Sequence, residues 1–266
     1  MALIFTILGC GSSAGVPRLV LGWGACDPHN PKNRRRRCSL LLERSGENGR
    51  TRVLIDTSPD LRDQLIGAGV DSLDGVLFTH DHADHTHGID DLRPLAIHGG
   101  RRVDVYLDEA TSAIMRTRFG YCFAVDPGSE YPAILTDHRI AAGEPVTITG
   151  RGGAITALPF TQIHGGGTTL GFRFGGLAYS CDVSSLSEAS LAVLQDLDVW
   201  IVDALRYRPH PSHFSVEESL AWIARVHPRR AILTNLHTDL DYESLRRTLP
   251  EGVEPAFDGM KIELSQ

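Results

Sequence analysis

The segment FTHDHADHTHG, residues 78–88, contains four histidines and two aspartates within eleven residues and follows a short apolar run. In an extended chain, residues two apart face the same way, so His80 and His82 are expected to point together. A turn after them would bring Asp84 and His85 to a second position nearby. Imidazole suits zinc, iron and copper, and carboxylate also admits manganese and magnesium. The spacing H-x-H-x-D-H therefore predicts a metal site rather than a solvated polar loop.

Three polar residues later in the chain each close an apolar stretch just before a turn. His164 ends LPFTQIH, Asp182 ends LAYSCD and His237 ends AILTNLH. A single histidine at the end of a strand is usually only a polar terminus. Because the same placement recurs in a chain that also carries the histidine cluster, we predict that these residues complete the metal site. His87 lies outside the spacing and is not expected to bind.

The composition is that of an ordinary soluble globular protein, with 266 residues, 42% hydrophobic and 22% charged. The net charge of -7 argues against a main task of gripping nucleic-acid backbone, which usually needs a basic surplus. The five cysteines are scattered and form no CxxC pair, which favours a reducing compartment. No stretch approaches the roughly 18 apolar residues of a membrane span, and the apolar start is too short for a signal peptide. We therefore expect a cytoplasmic protein without membrane contact.

Strand-like stretches interrupted by helices occur twice along the chain. Strands are predicted at LIFTILG, TRVLIDTS and LDGVLFTH in the first half, and at TLGFRFGG, VWIVDAL and RAILTNLH in the second. The stretch SVEESLAWIARVH predicts a helix with Ser215 as its cap and Glu218 three residues on. Sheets need their apolar faces covered. We therefore predict an α/β fold, a four-layer αββα sandwich, forming a single domain over residues 1–266.

A glycine motif near the start offers a rival interpretation. Gly9-x-Gly11-x-x-Ala14 follows a strand and mimics a dinucleotide fingerprint, but a true fingerprint opens a helix. Here Gly15 and Pro17 follow, and a helix should not run through them. We expect instead that the glycines let the backbone turn tightly beneath the metal site.

The order H-x-H-x-D-H, then His, Asp and His resembles the metallo-β-lactamase superfamily over nearly the whole chain. The resemblance implies two divalent ions, zinc first and manganese as the alternative. It assigns the metal ligands as His80, His82 and His164 for the first ion, Asp84, His85 and His237 for the second, and Asp182 as the bridge. It also implies that Asp56, in VLIDTS, supports a ligand imidazole from beneath.

Three stretches resemble the ribonuclease Z-like and cyclic phosphodiesterase branch of this superfamily: ILGCGSSAGVPR, DPHNPKNRRRRCSLLLE and HPSHFSVEESLAW. The most similar group is the phosphoribosyl 1,2-cyclic phosphate phosphodiesterases. Within the third stretch, His213 matches the catalytic histidine of the branch, and His210 is the alternative. Only Cys26 remains of the cysteine cluster that binds an extra zinc in that group, so no third zinc is expected. A homodimer is implied by analogy.

The expected activity is hydrolysis of a small or cyclic phosphodiester, such as a cyclic sugar phosphate or cyclic nucleotide, by a metal-bridging hydroxide. Asp84 would orient this nucleophile and His213 would protonate the leaving group. Hydrolysis of a thioester or lactone, as in glyoxalase II-like relatives, is the alternative, and a non-catalytic metal-binding protein is a third reading. The segment YCFAVDPGSEYPAILTDHRI is apolar and acidic rather than glycine-rich and basic, so extended nucleic acid is not the expected partner. The run Arg34 to Arg37 is either solvated or paired internally, or it lines the substrate's phosphate site.

Overall fold

The structure is a computed structural model and describes residues 2–125, 128 and 130–264. It contains two seven-stranded sheets and eight α-helices within these residues. Residues 126, 127 and 129 of the apolar, acidic segment noted above lie outside the described residues. In the part of the chain that is described, no helix is both long and apolar enough to cross a bilayer.

The first sheet is built mainly from the first half of the chain. Its strands, in spatial order, are β14 (Lys261–Leu264), β1 (Leu3–Gly9), β2 (Ser39–Gly46), β3 (Gly49–Ile55), β4 (Gly75–Leu77), β5 (Val103–Leu107) and β6 (Leu135–Arg139). The strands β3 to β6 run parallel to one another, whereas β14, β1, β2 and β3 pair antiparallel.

The second sheet repeats this arrangement with the second half of the chain. Its strands, in spatial order, are β13 (Val253–Pro255), β12 (Arg230–Thr234), β11 (Val199–Asp203), β10 (Leu177–Ser180), β9 (Gly167–Phe174), β8 (Gly153–His164) and β7 (Val146–Gly150). The strands β10 to β13 are parallel, and β7 to β10 are antiparallel.

Helices connect the parallel strands in both halves. The first half has α1 (Leu61–Ala68), α2 (Ala83–Thr86), α3 (Arg93–Gly99), α4 (Glu109–Arg118) and α5 (Gly120–Phe123), and the second has α6 (Glu188–Val193), α7 (Val216–Val226) and α8 (Tyr242–Thr248). Ser215 caps α7 and forms the predicted capping box with Glu218. The Gly9 motif opens no α-helix, since the next helical turn is a 3-10 turn at Pro31–Asn33, and the dinucleotide interpretation is therefore excluded.

Three apolar layers separate four layers of secondary structure. Alternate residues of one strand face opposite ways, so Leu40 and Leu42 of β2 pack in the layer between the sheets while Leu41 packs beneath the helices of the first half. A third layer, which includes Trp200 of β11, lies between the second sheet and its helices. The predicted αββα sandwich is confirmed.

The carboxyl ends of the parallel strands carry the polar residues of the candidate site. Asp56 directly follows β3, and the histidine cluster follows β4. In the second sheet, Asp182 follows β10, Asp203 ends β11 and Asn235 follows β12. Parallel strands bring their carboxyl ends to the same edge of a sheet, which is where ligands bind in such folds. The topology therefore gathers these residues at one edge of the sandwich.

Asp241 precedes α8 and connects this helix to the long segment between β1 and β2. Its carboxylate accepts hydrogen bonds from the backbone N–H of Ser244 at 3.0 Å and of Asp27 at 3.2 Å, and from the side-chain amide of Asn33 at 2.6 Å. Burial alone would raise the pKa of Asp241, but these three donors outweigh it and lower the pKa to about 2. The charged carboxylate is therefore the form that stabilises this connection.

We predict that Asp241→Ala lowers the free energy of unfolding by about 1 kcal/mol at pH 7, because a helix cap is lost. The folded-state pKa lies below the ordinary value of 3.8. The contribution of the charge is therefore present above about pH 4 and disappears as the pH falls towards 2. Urea denaturation of both proteins between pH 7 and pH 3 measures the difference.

Asp241→Asn is the control, since it keeps an oxygen that can cap α8 but has no charge to titrate. The charged carboxylate has no role in stability if the difference in the free energy of unfolding between the wild type and Asp241→Asn is the same at every pH.

Candidate metal centre

The histidine cluster folds into a loop and the short helix α2. The rings of His80 and His82 pack edge to face, with centroids 4.4 Å apart, and the ring centroids of His80 and His85 are also 4.4 Å apart. His82 directly precedes α2, and Asp84 and His85 belong to that helix. The predicted turn between the two pairs of residues is present. His87 is exposed and packs against the ring of Phe119 instead.

The carboxylate of Asp182 is the common neighbour of four imidazoles. Its Oδ1 lies 3.2 Å from Nε2 of His85. Its Oδ2 lies 3.6 Å from Nε2 of His164, 3.7 Å from that of His80 and 3.8 Å from that of His213. These last three separations are too long for hydrogen bonds. Asp182 is only 3% exposed, so a buried charge is surrounded by converging nitrogen atoms.

One group of donor atoms is complete enough to hold an ion. His80, His82, His164 and Asp182 each offer a ligand atom, and these atoms all lie within 4.8 Å of one another. Nε2 of His80 is buried and has no hydrogen-bond partner among the described residues. Burial lowers the pKa of both His80 and His164, which favours the neutral imidazole that binds metals. These side chains fit a divalent ion.

The opposite ring nitrogens are held by protein groups, which fixes the tautomers. Nδ1 of His85 lies 2.7 Å from a carboxylate oxygen of Asp56, and Nδ1 of His80 lies 2.9 Å from the hydroxyl of Thr79. That hydroxyl donates in turn to Asp56 at 2.8 Å, as does the N–H of Thr79. Nδ1 of His164 donates to the backbone carbonyl of Ser212 at 2.6 Å. Each Nε2 is thereby turned towards Asp182, and the predicted contact between Asp56 and a ligand imidazole is present.

The second predicted position is less complete. Asp84 contributes an oxygen 3.5 Å from Nε2 of His85, and Asp182 completes a group of three. The thiol of Cys181 lies 3.2 Å from Oδ1 of Asp182 and could join His85 and Asp182 in a further cluster. Burial raises the pKa of Cys181 well above its ordinary value, so this thiol is protonated. It donates a hydrogen bond to the carboxylate.

The structure brings six of the seven predicted ligands together, but not His237. Nε2 of His237 contacts the guanidinium of Arg18, and its Nδ1 lies 3.0 Å from Asp239. The residue of this strand end that reaches the cluster is Asn235, whose amide donates to Oδ1 of Asp182 at 3.1 Å. Sequence reasoning missed Asn235, because β12 ends at Thr234 and this boundary could not be fixed to within two residues.

His213 reaches the cluster from the loop before α7. Its Nδ1 donates to Asp203 at 2.8 Å, and Asp203 is fully buried at the end of β11. Burial alone would lower the pKa of His213, but the charge of Asp203 and this hydrogen bond outweigh it and raise the pKa to about 9. Because Nδ1 already carries the proton, the amide of Asn235 at 3.2 Å is a neighbour and not a donor to it. Asp203 was not identified from the sequence, where it only ends an apolar strand.

His210, the alternative to His213, lies beside the ring of His213 and not beside Asp182. Its ring centroid is 5.1 Å from that of His213, and its Nδ1 is near the N–H and hydroxyl of Ser212. No contact of His210 with Asp182 is among those found for the described residues. The geometry therefore favours His213 as the histidine beside the cluster.

Three of the four arginines from Arg34 to Arg37 are engaged within the protein, and Arg34 is exposed. The partners are the Leu240 carbonyl for Arg35 at 2.7 Å, Asp258 for Arg36 at 3.0 Å and Asp60 for Arg37 at 3.0 Å. Gly9 lies against this run, and a Cβ there would come within 2.0 Å of the carbonyl of Arg37. The internal-pairing interpretation holds for these three arginines, and the glycine is needed for close backbone approach.

Residues 51–235 match the sequence profile of the beta-lactamase superfamily domain. The chain belongs to the metallo-β-lactamase superfamily. Members of this superfamily normally bind divalent metals, and the His/Asp cluster fits such a site.

Three known proteins are similar to this chain over nearly its whole length. A crystal structure described as a new diphosphatase from the PhnP family is 35% identical, with a TM-score of 0.89, and covers 99% of this chain and 98% of that one. An octanoyltransferase from Porphyromonas gingivalis is 32% identical over 258 residues, which make up 96% of this chain and 50% of the relative. The chain thus spans about half the length of that curated relative. Zinc-bound PqqB from Methylobacterium extorquens, 20% identical with a TM-score of 0.76 over 98% of this chain and all of that one, shares the fold.

We predict that Asp182→Asn lowers the metal content of the purified protein by at least half. The substitution keeps the shape of the side chain but removes the charge on which the imidazoles converge. Elemental analysis after dialysis against metal-free buffer measures the ions retained per chain. Asp239→Asn, which makes the same chemical change beside His237, is the matched control and should retain the wild-type content. Equal metal content in the two variants would show that Asp182 is not a ligand.

Proposed function

We propose that the chain is a metal-dependent phosphodiesterase that hydrolyses a small or cyclic phosphodiester, such as a cyclic sugar phosphate or a cyclic nucleotide. The observation that carries this proposal is the position of His213, whose Nδ1 is held by Asp203 at 2.8 Å while its Nε2 lies 3.8 Å from Asp182. A proton donor beside a metal cluster suits a reaction in which a poor alkoxide leaving group must be protonated.

The metal ligands in this proposal are His80, His82 and His164 at one position, Asp84 and His85 at the other, and Asp182 between them. Zinc suits the imidazoles, and manganese is the alternative because carboxylates admit it. When bound, divalent ions polarise phosphoryl oxygens and lower the pKa of water from about 15.7 to about 7.

The side chains around the metal ligands have separate roles in the proposed reaction. Asp203 holds the proton on Nδ1 of His213, so that the second proton of the ring, on Nε2, is the one available to the leaving group. Asp84 accepts a hydrogen bond from the attacking water and orients it. Asp56 and Thr79 keep the imidazoles of His85 and His80 in place, which avoids reorganisation during the reaction.

The names of the relatives suggest two further substrate classes, diphosphates and acyl compounds, beside phosphodiesters. The diphosphatase at 35% identity cleaves a phosphoanhydride by its name, which favours diphosphates as a second substrate class. An octanoyltransferase acts on an acyl group, so a thioester or lactone is the third substrate class. Activated water attacks phosphorus or a carbonyl equally well in principle, and only rates can separate them.

A substrate panel tests the proposed function. Zinc-loaded and manganese-loaded protein is assayed with 1,2-cyclic ribose phosphate, 2′,3′- and 3′,5′-cyclic nucleotides, a short RNA, a nucleoside diphosphate and a glutathione thioester. We expect the highest kcat/KM with one of the cyclic phosphodiesters. A higher value with the thioester than with every phosphorus ester would overturn the assignment, and a higher value with the diphosphate would move it to the second class.

We predict that His213→Ala lowers kcat on alkyl phosphodiesters by about 10²- to 10⁴-fold, the usual contribution of a general acid. The loss on p-nitrophenyl esters should be much smaller, since p-nitrophenolate leaves without a proton. Asp203→Asn should show a weaker effect in the same direction, because it removes the partner of Nδ1. His210→Ala is the control and should affect both ester types little. Equal losses of His213→Ala on both esters would remove its role as proton donor.

A further inference from the structure

The two metal positions differ in the number of side chains that serve them. The first has three imidazoles and a carboxylate whose ligand atoms lie within 4.8 Å of one another. The second has one imidazole, from His85, and the carboxylates of Asp84 and Asp182. A fourth protein ligand at the second position was predicted to be His237, and the structure does not bring that residue there.

Both ring nitrogens of His237 are already used. The guanidinium of Arg18 donates to Nε2, and Nδ1 donates to Asp239 at 3.0 Å. An arginine charge on the nitrogen that would have to bind metal also repels a cation. To become a ligand through Nε2, His237 would have to lose the contact with Arg18, whereas its Nδ1 contact with Asp239 could be kept.

Asn235 occupies the space at this strand end. It is 2% exposed, and its amide donates at 3.1 Å to Oδ1 of Asp182, the same oxygen that faces His85. The residue is held in the left-handed region, with φ of 62°. Asparagine tolerates this conformation better than most residues. An amide is a far weaker metal ligand than an imidazole, and here its N–H points at the oxygen that the second ion needs.

We propose that the two positions bind metal unequally, with one ion held tightly by the three histidines and the second held weakly because Asn235 stands where a fourth strong ligand is required. The inference rests on the proposed metal-dependent function for its meaning, but its test counts ions and does not measure turnover. The second position, rich in oxygen donors, should also discriminate less against Mn²⁺ than the first.

Calorimetric titration of the metal-free protein with Zn²⁺, and separately with Mn²⁺, tests the proposal. The wild type should bind the first equivalent at least ~100-fold more tightly than the second, since losing support for one ligand alone costs 10- to 100-fold. Asn235→His should bring the two dissociation constants within about 10-fold of each other by adding an imidazole. Histidine also tolerates the left-handed backbone. His237→Ala should leave both constants unchanged.

Two results would overturn the proposal: equal affinity for two ions in the wild type, or loss of the second ion in His237→Ala.

Cys181 is tested by Cd²⁺, because a thiolate–cadmium bond gives an ultraviolet charge-transfer band. The band should be absent, and its appearance with the second equivalent would mean that Cys181 supplies the missing ligand. If Asn235→His does not fold, the wild-type and His237→Ala titrations still decide. Failure of every substrate in the panel, with unequal binding intact, would refute the function alone.

Discussion

The charge of Asp182 is buried where the two sheets meet, and the rest of the site is arranged around it. A buried carboxylate is costly unless it is paired. Here its close contacts come from separate parts of the chain, with His85 after β4 at 3.2 Å and Asn235 after β12 at 3.1 Å. The imidazoles of His80 and His164 lie further away, at 3.7 and 3.6 Å. The two halves of the sandwich are therefore joined at their shared edge by polar contacts as well as by the apolar layer between the sheets. A divalent ion would offset the remaining cost, which gives the metal a part in stability as well as in chemistry.

Two residues of this site, one in contact with His85 and one in contact with Asp182, have backbones that few side chains adopt. Asp56 has φ of 61° and Asn235 has φ of 62°, both in the left-handed region. Such conformations cost of order 1–3 kcal/mol and gather at functional sites. At Asp56 the conformation lets one carboxylate serve both Thr79 and His85. Local strain is accepted at these strand ends because the geometry of the ligands depends on it.

The fold and most of the cluster follow from sequence patterns, and the exceptions have physical causes. Period-two alternation and the buried β4 run predict strands whose ends carry His80 and Asp182, and the H-x-H-x-D-H spacing predicts which side chains share a position. The position of His237 could not be predicted, since a shift of two residues along a strand end keeps the same face but changes which side chain reaches the cluster. Asp203 was hidden because an aspartate closing an apolar strand looks the same whether it is solvated or buried beneath a histidine.

The pairing of β14 with β1 has a consequence for how the chain is made. Leu3 lies opposite Leu264, so two neighbouring strands of the first sheet are far apart in the sequence. During synthesis β1 emerges long before its outer neighbour, and one of its edges stays open until β14 has left the ribosome. Open strand edges recruit other chains, and contacts of long sequence separation form slowly. A nascent chain of this protein is thus exposed to misassociation between the synthesis of β1 and that of β14, and chaperones that cover strand edges would matter most during that interval.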